Sequence, residues 1–243
     1  MFKRKKLLFM IPVAVMLMLP PPMAYANEHY KDTCYAVGIS GGYAYNNTYR
    51  HYGVFSVDAY LPVTSYFEGE VNVRLSTVNV YDFGVRLQPN FKLPYGELFL
   101  GTRVQYNLYA RNDIHGVSMA LTAGYRMPYL SAEIGYGTRL SAFMYMSKHS
   151  TENGINEPHN MVYRVEVFAR PPEAGWNISA RVTNMTEYQM ERMFTPIFSL
   201  RSTVDIGRHW RLRFEGSCKP VGISNLTATF YGAEGVVGAM YRF

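Results

Sequence analysis

The sequence predicts an all-β protein, a closed antiparallel barrel of 12 strands that crosses a membrane. Three observations carry that prediction. Period-2 alternation runs through most of residues 35–243, every second connection between alternating segments is short, and the last alternating segment continues to the terminal Phe243.

Alternation comes first, because a strand with two different surroundings must place unlike residues on its two faces. In SYFEGEVNVRL, Phe67, Val71, Val73 and Leu75 share one face, while Glu68, Glu70, Asn72 and Arg74 share the other. ELFLGTRVQYNLY sets Leu98, Leu100, Val104, Tyr106 and Leu108 against Glu97, Arg103, Gln105 and Asn107. AEIGYGTRLS does the same with Ile134, Tyr136 and Leu140 against Glu133 and Arg139. Similar segments fall at about 35–45, 52–61, 79–88, 117–126, 161–170, 176–183, 194–206, 209–217 and 229–243, which brings the total to 12.

The connections supply the second observation. Those near 61–65, 89–96, 126–130, 171–175 and 207–208 are mostly tight and contain Pro or Gly, although 89–96 is long for this set. Those between them include SKHSTENGINEPHN and KPVGISNLTA. Membrane barrels of the bacterial outer envelope have an even strand number, short turns at the periplasmic rim and longer loops at the other. Closure removes the unpaired edges that hydrocarbon cannot solvate.

The N-terminus reads as an export signal. Lys3, Arg4, Lys5 and Lys6 precede the apolar run LLFMIPVAVMLML, and Ala24-Tyr25-Ala26 forms a small-x-small cleavage site. A spanning helix would need roughly 20 apolar residues. The expected organisation is a cleaved signal peptide at 1–26, a short periplasmic segment at 27–33 and a barrel at 34–243. Loss of the signal removes four of the 24 Lys and Arg and none of the 18 Asp and Glu, so the mature chain is close to neutral. With no Lys/Arg cluster interleaved with aromatics, nucleic-acid binding has no support. No later apolar run approaches helix-spanning length, and no phosphate loop or cofactor motif is present.

The C-terminus carries a resemblance. GAMYRF resembles the sorting signal of bacterial outer-membrane β-barrel proteins, with Gly238, Tyr241 and Phe243 at the matching positions and Val236 where a polar residue is usual. The resemblance implies recognition by the barrel assembly machinery and closure of the last strand against the first. Tyr43, Tyr45, Tyr81, Tyr109, Tyr125, Trp176, Trp210 and Tyr241, near strand ends, suit aromatic girdles against outer-membrane lipid.

On this reading the polar parity faces a lumen. It would carry Arg74, Arg86, Arg103, Arg126, Arg139, Arg164, Arg170, Arg181, Arg201, Arg211, Arg213 and Arg242. Opposing them are Asp58, Glu68, Glu70, Asp82, Glu97, Glu133, Glu166, Asp205, Glu215 and Glu234. Such near-cancellation predicts either a plug of salt-bridged side chains or a narrow pore for small solutes with weak charge selectivity, so the expected role is that of a small pore or a structural surface protein. Cys34 and Cys218 fall at opposite ends of the barrel and are expected to be unpaired, because a disulfide needs Cα atoms within about 7 Å.

An enzyme is the competing class. His149, Ser150, Thr151, Asn153, Gly154 and Pro158 resemble the His-x-Ser-Asn motif and later proline of lipid A deacylases. Thr151 replaces the nucleophilic serine and Glu152 the asparagine, and a nucleophile needs its base within about 3 Å. His51, His115, His149 and His159 are expected on extracellular connections, without a spacing that suits a metal site.

Overall fold

The structure, a computed structural model, describes residues 35–64, 66–110, 114–143, 155–172, 174–221 and 229–243. These residues form 12 strands: β1 (Ala36–Asn46), β2 (Arg50–Thr64), β3 (Phe67–Ser76), β4 (Val80–Leu93), β5 (Gly96–Tyr109) and β6 (Ile114–Arg126), followed by β7 (Leu130–Phe143), β8 (Ile155–Phe168), β9 (Trp176–Thr183), β10 (Ile197–Ile206), β11 (Trp210–Val221) and β12 (Thr229–Arg242). Each pairs antiparallel with its sequence neighbours, and β12 returns to β1, so the sheet is a closed barrel.

The seam between β1 and β12 closes the sheet. The two strands pair from Ala36↔Arg242 to Asn46↔Gly232. The amide of Phe243 still donates to the Tyr35 carbonyl at 2.9 Å, so the terminal residue belongs to the ladder. Gly238 lies opposite Ser40, and a Cβ there would stand 2.6 Å from the Ser40 Cβ, closer than side chains pack. Outside the barrel, Tyr241 meets Trp210 and Phe243 edge to face, each with ring centroids 5.0 Å apart.

The two faces are inverted relative to a water-soluble sheet. Large apolar side chains point outward, with Leu121 67% and Leu200 60% exposed, while Asn72, Arg103, Gln105 and Asn107 are buried inside. A wide apolar exterior around a polar interior is the distribution that a hydrocarbon surround requires.

Prolines shape the strands without ending them. Ladder irregularities fall between Pro62 and Thr64, between Lys219 and Pro220, and between Gly137 and Arg139, the last opposite the β8 residues around Pro158. Proline has no N–H to donate and is accommodated in sheets at such bulges. The sequence expectation of a long turn at 89–96 is corrected: β4 runs through Pro89 to Leu93, Leu93 pairs with Gly96, and the turn is Pro94-Tyr95. Extension of β8 back to Ile155 likewise absorbs part of the expected loop. His51, His115 and His159 are therefore strand residues, and each ring meets a tyrosine: Tyr43 and Tyr45, Tyr106, and Tyr136 respectively.

Candidate functional site

One connection does not leave the barrel. Residues 184–196 between β9 and β10 turn inward, where a Met185↔Met190 bridge closes a hairpin-like fold. Asn184, Met185 and Met190 are almost wholly buried, and the two methionines pack with Ala120 and Val162 of the wall.

A buried loop carries main-chain carbonyls that must find donors. Here the wall provides them. Arg103 and Gln105 of β5 both donate to the Thr186 carbonyl, at 2.5 and 2.7 Å, and Asn107 of the same strand donates to the Tyr188 carbonyl at 2.8 Å. Asn160 of β8 donates to the Glu191 carbonyl at 2.7 Å, Arg164 to the Met185 carbonyl at 3.3 Å, and Arg139 of β7 approaches the Met190 carbonyl at 3.5 Å. Asn184 repays the contact by donating to the Met161 carbonyl at 2.8 Å.

Two inward glycines make room for the loop. A Cβ on Gly84 would overlap the Glu187 carbonyl oxygen, and one on Gly137 would come within 2.7 Å of the Met190 methyl. Glycine at these positions permits the close backbone approach.

Side chains of the loop complete the fastening. Glu187 receives Arg181 at 2.9 Å and lies 3.7 Å from Arg164 and 4.0 Å from Arg201. Its burial would push the carboxyl up, but Arg181, Arg164, Arg201 and Arg103 together hold it well below the usual carboxylate range. The Tyr188 hydroxyl donates to Asp58 at 2.7 Å; burial and that neighbouring carboxylate push its phenol up. Glu191 pairs with Lys219.

Around this loop the inner wall is a web of ion pairs. Arg74 binds Glu234 at 2.7 Å, and Arg86 and Arg164 approach Glu133 at 3.3 and 3.9 Å. Glu215 receives Arg181 at 2.6 Å and Arg201 at 2.9 Å, while Arg213 pairs with Asp58 at 3.4 Å. Glu166 accepts the Ser179 hydroxyl at 2.7 Å. Nearer the short turns, Arg126 pairs with Glu97 at 2.9 Å and Glu68 at 3.9 Å. Arg211 and Arg242 share Asp205 at 2.5 and 3.1 Å, and Arg211 also donates to the Pro172 and Ala174 carbonyls of the β8–β9 turn.

Charge is unevenly distributed in this web. Glu70, Arg86 and Arg103 lie side by side on β3, β4 and β5, so two arginines face each other directly across a strand pair. Like charges so placed repel. Among the described residues, Arg103 has no carboxylate within salt-bridge distance, and the loop carbonyl of Thr186 accepts its hydrogen bond. The loop therefore lies over an arginine-rich patch of the wall, where Arg86, Arg103 and Arg164 of β4, β5 and β8 surround Glu133.

On the opposite side a cavity remains, bounded by the loop and by inward residues of β1 to β3 and β9 to β12. Ser40, Ser56, Ser199 and Ser217 give it hydroxyls, and Val54, Ile197 and Val236 give it apolar surface. Its ionisable lining is Arg74, Arg181 and Arg213 together with Asp58, Glu187, Glu215 and Glu234.

Several sequence expectations fall elsewhere. Arg170 does not join the inner wall: it follows the end of β8, is exposed, and stacks over the Trp176 ring at 4.0 Å. His149, Ser150 and Thr151 lie outside the described residues, as does Cys34. Cys218 is exposed and free on β11. Among the described residues no group of His, Cys, Asp and Glu could hold a metal ion. The loop residues Met185, Glu187, Tyr188 and Met190 were not singled out by sequence. Their signal lay on the wall, where Arg103, Gln105 and Asn107 present three long donors on one strand face.

No protein-family model matches the sequence, and a search of curated proteins returns no match. Solved structures do match. A KdgM porin in complex with disordered oligogalacturonate superposes with a TM-score of 0.54 at 8% identity, over 86% of this chain and 99% of that one. The translocator domain of the autotransporter NalP from Neisseria meningitidis gives 0.53 at 15% identity, over 89% and 90%. A NanC porin gives 0.52 at 10% identity, over 85% and 100%. At such identities the likeness is one of fold, and it agrees with the inverted faces and the closed sheet described above. The chain has the fold of the bacterial outer-membrane β-barrel proteins.

Proposed function

We propose that this chain is a narrow outer-membrane pore for small solutes, constricted by its own loop 184–196. The observation that carries the reading is the one-sided placement of that loop, which is fastened to β5, β7 and β8 and leaves a polar cavity along the other wall, which we read as the passage. A barrel serving only as a surface scaffold has no need of such a passage; a pore of restricted size does.

The supporting roles follow from the same reading. Residues 1–26 direct export, the apolar belt meets outer-membrane lipid, and Gly238, Tyr241 and Phe243 present the terminal strand to the barrel assembly machinery. The alternative of a lipid hydrolase centred on His149 and Thr151 draws no support from the described residues.

Planar-bilayer recording of the refolded protein tests the proposal. Discrete, small conductance steps are expected, and a barrel that inserts but never conducts would refute it. Fatty-acid release from phospholipid and lipopolysaccharide should be absent. Release that disappears when His149, Ser150 and Thr151 are all replaced by Ala would establish the hydrolase instead.

A further inference from the structure

The inner wall as a whole is nearly balanced in charge, but a solute meets only the part that the loop leaves open. We propose that loop 184–196 determines ion selectivity by covering the arginine-rich wall, so that the remaining passage prefers small cations. This rests on the pore reading and deepens it.

The argument begins with what the loop hides. Arg103, Arg139 and Arg164 turn toward its main-chain carbonyls. Arg86 lies directly opposite Arg103. Buried N–H groups of Arg86, Arg103 and Arg164 lack a hydrogen-bond partner among the described residues. These donors would attract an anion if water and ions could reach them, since guanidinium N–H groups are strong partners for anionic oxygen.

What the loop leaves open has the opposite balance. The passage is lined by three arginines and four carboxylates. One of those carboxylates, Glu187, belongs to the loop itself, and Arg181 is held between Glu187 and Glu215 at 2.9 and 2.6 Å. The hidden wall holds Arg86, Arg103, Arg139 and Arg164 against the buried carboxylates Asp82, Glu133 and Glu166, so the loop removes more positive than negative charge from the permeation path and adds a carboxylate to it. In a narrow passage with low-dielectric walls a single net charge biases the counter-ion population. The bias weakens as salt screens it, over about 10 Å at 0.1 M.

Zero-current potentials of the full barrel across a KCl gradient test this. The unmodified protein should show a potassium-to-chloride permeability ratio above one in dilute salt, declining toward one as salt rises. Gly84→Ala, which places a methyl group against the Glu187 carbonyl, should displace the loop, raise conductance and bring the ratio below one. Adding Arg103→Gln to that variant should return the ratio toward one while the conductance stays high. Should Gly84→Ala fail to assemble, Glu234→Gln reads the same inference from the open side by lowering the ratio of the otherwise unmodified pore.

A purely steric loop predicts a different pattern, in which Gly84→Ala raises conductance with no change in ratio; that result would overturn the proposal. A ratio at or below one in the unmodified protein would overturn it while leaving the pore reading intact. Complete absence of conductance would remove both.

Discussion

Neutralising Glu187 isolates the electrostatic fastening of the loop from its other contacts. In Glu187→Gln, Arg181 loses a partner at 2.9 Å but keeps Glu215 at 2.6 Å. Arg201 keeps Glu215 at 2.9 Å, and Arg164 keeps Glu133 at 3.9 Å. None of these three arginines is left without a carboxylate, so the full cost of orphaning a buried charge, about 3–5 kcal/mol, does not apply. The loss is one charged hydrogen bond, about 1.5–3 kcal/mol, with the longer Arg164 and Arg201 attractions largely offset by desolvation. A net of about 2 kcal/mol against the docked loop raises the population of the released state about 30-fold, since about 1.4 kcal/mol is a factor of ten. Three hydrogen bonds from Arg103, Gln105 and Asn107 still hold the loop, so release should be brief. Single-channel records of Glu187→Gln should show frequent short excursions to a larger conductance, with heat-modifiability of the barrel unchanged. Records identical to those of the unmodified protein would refute the fastening. The pH dependence has a definite sign. Because the carboxyl is depressed with the loop docked, its stabilisation is complete above the free glutamate pKa of about 4.3 and is lost as pH falls through the depressed value. Excursions in the unmodified protein should therefore be rare from neutral pH to about 5 and grow in stronger acid, whereas Glu187→Gln shows them at neutral pH.

Other expected outcomes concern the wall and its closure. Arginine at Leu100 or Ile134, which are 46% and 55% exposed on the outer face, should destabilise the barrel by about 2–4 kcal/mol where the side chain meets the bilayer midplane. Arginine at Ser217, which lines the passage beside Glu234, should cost much less in urea unfolding from lipid vesicles; equal costs would contradict the orientation of the two faces. Phe243→Lys should reduce the heat-modifiable barrel recovered in outer membranes, and recovery at unmodified levels would remove the assembly role given to the terminus.

The alternation in the sequence made the strands legible because each inner or outer position has a different solvent. That physical contrast extends over every strand, so single departures such as Gly69 or Gly101 do not erase it. Strand ends were less legible, and proline is the reason. Pro89 and Pro158 read locally as breakers, but the closed ladder lets both strands continue past them, at the cost of a bulge around Pro158. The loop was the least legible part. NMTEYQMERMFTP has the composition of an ordinary polar connection, and nothing in its period separates a solvated loop from a docked one. What distinguishes it is the complementary surface, spread over β4 to β8: Gly84 and Gly137 as clearances, Ala120 and Val162 as an apolar seat, and Arg103, Gln105 and Asn107 as donors. These come together only when the register of five strands is known.

The arginines of the wall acquire a different meaning once the loop is in place. A segment folded inside a barrel is cut off from bulk water, so its carbonyls need donors, and long side chains on the wall are the groups that can reach them. Arginine and amide side chains both serve, but each arginine brings a charge that must be balanced in a poorly solvated interior. Glu133 and Glu187 answer that requirement on the covered side, where Arg86, Arg103 and Arg164 crowd together. The near-equality of charges along the inner wall is thus a condition for housing the loop, and it carries no information about the solute. Permeation depends on which charges remain uncovered. Substitutions beneath the loop should accordingly act through its docking, changing step size and open-state noise together, whereas substitution at Glu234 should change ion preference at a constant step size. Single-channel recording of Asn107→Leu beside Glu234→Gln separates the two classes, and a shift of ion preference in both without any change in noise would contradict the division of the wall.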